Sequence, residues 1–136
     1  MIAPHPAPRP SAPRPSLRWG LAAAWAVFVA VLLWAAGPEG PAPWTWIDRF
    51  QEAGGDKLVH AALFLVQAWL LSRCRPGAGR AGWLIASVGI AVGFGVVTEL
   101  GQLVVPGRDA TVGDALADAV GAGAGAVLYA WRSRRT

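Results

Sequence analysis

Four apolar runs, approximately residues 17–36, 57–74, 81–105 and 112–132, are separated by short connections, and they constrain this chain more than any single motif. A helix needs about 20 residues to cross the roughly 30 Å hydrocarbon core of a bilayer, so each run is long enough or nearly so. The second run is short and the fourth is only weakly apolar, so both call for protein neighbours. Composition points the same way: 15% of the residues are charged, against about 25% in soluble domains. The expectation is an all-α, polytopic membrane protein with four transmembrane helices and short loops.

Residues 1–16 contain six prolines, which remove backbone donors and oppose a regular helix, so this segment reads as a Pro-rich disordered tail ahead of a membrane domain over 17–136. The basic residues set the orientation. Arg9, Arg14, Arg18, Arg73, Arg75, Arg80, Arg132, Arg134 and Arg135 fall on one side of the four-span arrangement, and Arg49, Lys57 and Arg108 on the other. Nine against three places both termini in the cytoplasm. All eight acids fall on the outward half. Trp19, Trp83 and Trp131 mark the inner interface, and Trp34, Trp44 and Trp46 the outer one. The pI near 10.6 therefore reflects topology, and nucleic acid is not an expected partner. The first run can also be read as a signal peptide, with small residues at Ala35, Ala36 and Gly37; its long uncharged stretch from Trp19 to Ala36 favours a retained helix. Cys74 is the sole cysteine, which excludes an intramolecular disulfide.

In lipid, helices associate where small residues allow close approach. Gly89 with Gly93 on the third run, and Gly121 with Gly125 on the fourth, each make a GxxxG spacing, so these two helices are expected to be neighbours. The GAGAGA stretch reads as packing, because a phosphate loop would have to follow a strand. Helical spacing aligns Asp56, His60, Phe64 and Gln67 on the second helix, Glu99 and Gln102 on the third, and Asp114, Asp118, Gly121 and Gly125 on the fourth. With a rise of about 1.5 Å per residue, His60 and Asp118 lie one turn deeper than Asp56 and Asp114. The polar groups converge near the outer boundary.

Several of these residues have ordinary explanations. Asp56 precedes an apolar run and can serve as a helix cap, and Asp114 stands three residues after Thr111, as a capping-box acid would. Arg108 in VPGRD fits a solvated turn, and Lys57 can snorkel to the interface. Glu99, His60 and Asp118 are different, because they sit inside spans. There a carboxylate costs about 2.5–3.5 kcal/mol at the centre and less near the boundary, so such groups are usually paired, hydrated or functional.

DKLVHAALF, TELGQLVVPGRDAT and GDALADAVGAGAG, in this order, resemble the VanZ-like family of small bacterial membrane proteins, over about residues 56–125. In that family a DK..H element, an E..Q element with a PGR-type turn and a D...N..G element recur. By position the resemblance assigns Asp56, Lys57, His60, Glu99, Gln102, Arg108, Asp114 and Gly121. Asp118 stands where the family usually has asparagine, which changes the charge of the cluster. The resemblance implies the bacterial cytoplasmic (inner) membrane and a cell-envelope context, the founding member being associated with teicoplanin resistance.

The functional expectation is an outward-facing site for a membrane-anchored envelope molecule, such as a lipid-linked cell-wall intermediate or a phospholipid head group. Glu99, His60 and Asp118 are the candidate catalytic residues, with proton exchange between Glu99 and His60. Asp56, Lys57, Gln102, Arg108 and Asp114 are the candidate binding residues, with Lys57 and Arg108 holding an anionic group. The residues name no cofactor. A hard cation among Asp114, Asp118 and Glu99 has weak support, since HExxH and paired cysteines are lacking and His5 lies in the tail. The alternative is a non-catalytic binding or assembly protein whose polar cluster is structural, so whether a reaction occurs stays open. A proton- or ion-coupled transporter is the weakest reading, because no acid falls in the inner half to continue a path.

Overall fold

The computed structural model describes residues 15–35, 54–75, 79–106 and 110–135. Their elements are four helices: α1 (Pro15–Trp34), α2 (Gly55–Ser72), α3 (Arg80–Gln102) and α4 (Val112–Arg132). Most of the proline-rich tail lies outside the described residues, as do Arg108, Asp109, Trp44 and Trp46. The first helix starts at Pro15, two residues before the expected boundary; proline is favoured at a helix start, where its missing N–H would have no intrahelical partner. Gly54 and Gly79 precede α2 and α3 with φ of +83° and +79°, a left-handed conformation that glycine adopts without a Cβ clash.

Two of the four helices, α1 and α3, are long and apolar enough to cross a membrane by length and composition. The other two fall short of that measure for a visible reason. Asp56, Lys57 and His60 interrupt α2, while α4 carries Asp114, Asp118 and four glycines. Only 17% of the apolar window of α1 and 22% of that of α3 is buried within the protein, unlike the core helix of a soluble domain. Leu58, Ile85, Ile90, Val96 and Leu100 are exposed, whereas His60, Gln67, Ser87, Thr98, Glu99 and Asp118 are buried. Apolar side chains outside and polar ones inside suit lipid as the surrounding solvent.

The ends of the bundle differ in chemistry. At one end Arg18 Nη1 donates to the Arg73 carbonyl at 3.0 Å, Trp19 meets Trp83 edge-on at 5.7 Å, and the Arg80 guanidinium lies over the Tyr129 ring. Toward the other end lie the four described acids, Asp56, Glu99, Asp114 and Asp118. Between them runs a small core of Val29, Leu63, Phe64, Ala68, Ala91 and Ala122, with Phe64 and Phe94 ring centroids 5.8 Å apart.

Packing of the glycine stripe corrects the sequence expectation. A Cβ at Gly121 would strike the Ala61 carbonyl, and one at Gly125 the Leu65 carbonyl, so this stripe lies on α2 and not on α3. Gly89 and Gly93 face open space. The spacing specifies a smooth surface but not its partner, and what it receives is main chain, which carries no sequence signature. Helices α3 and α4 do touch, through Gly95, whose missing side chain leaves room for Asp118.

Side-chain donors secure α1 to its neighbours. Trp25 Nε1 donates to the Leu63 carbonyl and Trp34 Nε1 to the Thr98 carbonyl, both at 3.0 Å, and Gln102 Nε2 donates to the Leu33 carbonyl at 3.2 Å. Gly101 receives the Trp34 indole, which a Cβ there would displace. These contacts tie α1 to α2 and α3.

Candidate functional site

Each helix brings its polar group to one end for a local reason. Helix α2 places His60 on the same face as Phe64 and Gln67, all three buried, while Asp56, one turn nearer the end, is half-buried. Gly54 occupies the N-cap of α2, so Asp56 is a first-turn acid and not the cap. There its charge complements the positive helix terminus. Thr111 caps α4: its hydroxyl accepts from the Asp114 N–H at 3.1 Å and donates to Asp114 Oδ2 at 2.6 Å. In a full capping box the acid would take the Thr111 N–H. Here that N–H donates instead to Glu99 Oε2 of α3, at 2.9 Å.

The centre of the cluster is formed by three buried side chains from three helices. His60 Nδ1 stands 2.9 Å from Asp118 Oδ1 and 3.8 Å from Glu99 Oε1. His60, Glu99 and Asp118 are 6%, 8% and 1% exposed, so water screens these charges little. At the rim Lys57 Nζ lies 3.1 Å from Asp56 Oδ2 and 3.7 Å from Asp114 Oδ1, with its stem against Gly113. The described cluster thus contains four acids against one lysine and one histidine. Glu99 Oε1 and Asp118 Oδ2 are buried without a hydrogen-bond partner among the described residues.

Of the residues singled out in the sequence, His60, Glu99 and Asp118 come together, with Asp114, Lys57 and Asp56 in series toward the rim. Gln102 does not join them. Although it shares a face with Glu99, its amide reaches α1, so its placement is that of a helix-to-helix tie. Arg108 lies outside the described residues. Two contributors escaped the sequence reading: the Thr111 main chain, as donor to Glu99, and Gly95, as the space for Asp118. A glycine one helical turn before an intramembrane acid was the available signal for the second.

Between α3 and α4 an open groove of about 280 Å³ reaches this cluster. Val96, Leu100, Leu103, Val112 and Ala115 form its apolar lining, and Glu99 and Thr111 stand among them. A molecule lying along the outer face of the bundle can therefore approach the carboxylate without crossing the helix pair.

No curated protein and no solved structure is significantly similar to this chain. The family model described as VanZ/LLP1 matches residues 19–133, a range that takes in all three motif segments, the capped start of α4 and the buried His60, Glu99 and Asp118. The chain, a membrane protein by its family and its apolar helices, belongs to the VanZ/LLP1 family.

Proposed function

We propose that this protein spans the bacterial cytoplasmic membrane four times, with both termini inside, and that its polar cluster binds or modifies a membrane-anchored cell-envelope molecule on the outer side. The observation that carries the reading is the groove beside Glu99: an open, mostly apolar groove with a buried carboxylate in its wall suits an acyl or isoprenoid chain joined to a polar head. The head group would meet Lys57 and Arg108 through its anionic part. His60, oriented by Asp118, would exchange a proton with Glu99 during any reaction. The excess of basic residues at one end, nine against three, supports the orientation, since positive charge is retained on the cytoplasmic side. A role in glycopeptide resistance of the teicoplanin type fits this placement.

One contact favours the alternative, a binding or assembly protein without chemistry. The Glu99 bond to the Thr111 N–H ties the end of α3 to the start of α4, as structural glue would. Alanine substitution of Glu99, His60 and Arg108, with protein abundance and envelope phenotype measured together, tests the proposal. Loss of phenotype at normal abundance supports a working site, whereas loss of protein in proportion to phenotype supports glue.

A further inference from the structure

We infer that His60 Nδ1, Glu99 Oε1 and Asp118 Oδ1 form a binding site for one divalent cation with mixed nitrogen and oxygen preference, Zn²⁺ or Mn²⁺. Two carboxylates converge on a single imidazole nitrogen, at 2.9 Å and 3.8 Å. A single N–H at Nδ1 can serve the nearer oxygen only. Glu99 Oε1 is consequently left facing the cluster, buried and without a hydrogen bond. A cation between the three groups satisfies both carboxylates at once, with Nδ1 giving up its proton to become a ligand.

The distances fit an ion without rearrangement of helices. One donor atom from each of the three residues lies within 4.8 Å of the other two. Ligand atoms bound at about 2.0–2.2 Å around a four- to six-coordinate ion stand roughly 3.0–4.2 Å apart, so side-chain movements on the order of an ångström close the site. One imidazole and two carboxylates, with no thiolate, suit zinc or manganese better than the all-oxygen cations. Three protein ligands leave coordination open, as in sites that present an ion to a substrate. Glu99 also lines the apolar groove, so the proposed site adjoins it. With an ion held, Glu99 and His60 would serve as its ligands, and the ion would supply Lewis acidity in place of their direct proton exchange. The site is independent of the envelope reading, because binding can be measured with no substrate present.

The test uses the full chain, purified in detergent with any affinity tag removed, stripped with EDTA and titrated separately with ZnCl₂ and MnCl₂. Bound ion is counted by elemental analysis after desalting, and thermal unfolding is followed with and without the ion. Expected are close to one ion per chain, a rise in melting temperature that EDTA reverses, and at least a tenfold loss of affinity in Glu99→Gln and in Asp118→Asn. His5→Ala, which removes the only other histidine, should bind as the parent does. Folded parent protein that retains less than a tenth of an ion, or variants that bind as tightly as the parent, would overturn the assignment. Loss of the ion in His5→Ala would overturn it as well. Should a variant fail to fold, the parent still decides: an unchanged melting temperature on adding either ion refutes the site.

Discussion

His60 on α2 and Asp118 on α4 face each other with Nδ1 2.9 Å from Oδ1, three residues before Gly121 brings α4 onto the α2 main chain. The buried polar contact and the closest helix approach therefore belong to one seam. A buried polar contact is sensitive to its geometry, because a lengthened contact leaves a desolvated group without its partner. Disturbing the glycines should consequently disturb the site.

Glycine substitutions on the two stripes should have opposite signs. Gly121→Ala places a methyl against the Ala61 carbonyl, which helix backbone cannot yield cheaply, and a loss of about 1–3 kcal/mol is expected from overpacking. Gly93→Ala faces open space and should be neutral, or stabilising by about 0.5–1 kcal/mol through helix propensity. Melting temperatures of the two purified variants decide this, and equal effects would contradict the packing of α4 on α2.

Glu99 separates function from assembly. In Glu99→Gln the amide oxygen can still accept from the Thr111 N–H, so abundance should stay near normal while the envelope phenotype is lost, since an amide is neither an anionic base nor an anionic ligand. Glu99→Leu removes the tie as well and should lower folded protein. A normally abundant and fully active Glu99→Gln protein would reject any role that requires the charge.

The cap of α4 should be worth about 1 kcal/mol, so Thr111→Ala is expected to lower stability by that amount and Thr111→Ser to restore most of it. Differential scanning of the two variants measures the contrast. Because Thr111 also lines the groove, Thr111→Ala should weaken the phenotype more than Thr111→Ser does.

Reporter fusions at Gly79 and Gly107 should report opposite sides of the membrane, with Gly79 cytoplasmic, because α3 joins the arginine end to the acidic end. Reports from the same side would remove the four-span arrangement and the outward site together.

Much of the architecture was legible in the sequence because apolar runs of helical length alternate with short polar connections. The four helices and the meeting of His60, Glu99 and Asp118 follow from 3.6-residue periodicity and depth along the helix. Pairing of the stripes was not legible. Gly89 and Gly93 carry the same spacing as Gly121 and Gly125, yet only the second pair meets a neighbour, and that neighbour offers main-chain carbonyls of Ala61 and Leu65. Gln102 was assigned to the cluster by its face, but a long flexible amide one turn from Glu99 can rotate to a different helix. At Thr111 the capping box was half right: the hydroxyl accepts the Asp114 N–H as the motif predicts, while the Asp114 carboxylate takes the Thr111 hydroxyl and the Thr111 N–H is claimed by Glu99, twelve positions earlier.

The ties that hold α1 join a side-chain donor on one helix to a main-chain carbonyl on another. Such joints distribute evolutionary freedom unevenly. A carbonyl is supplied by whatever residue occupies the position, so Leu33, Leu63 and Thr98 can change identity and still accept the same bond. Trp25, Trp34 and Gln102 cannot be exchanged for residues without a donor of similar reach. Sequence drift should accumulate along the exposed sides of α1, while these few donors preserve its register against α2 and α3.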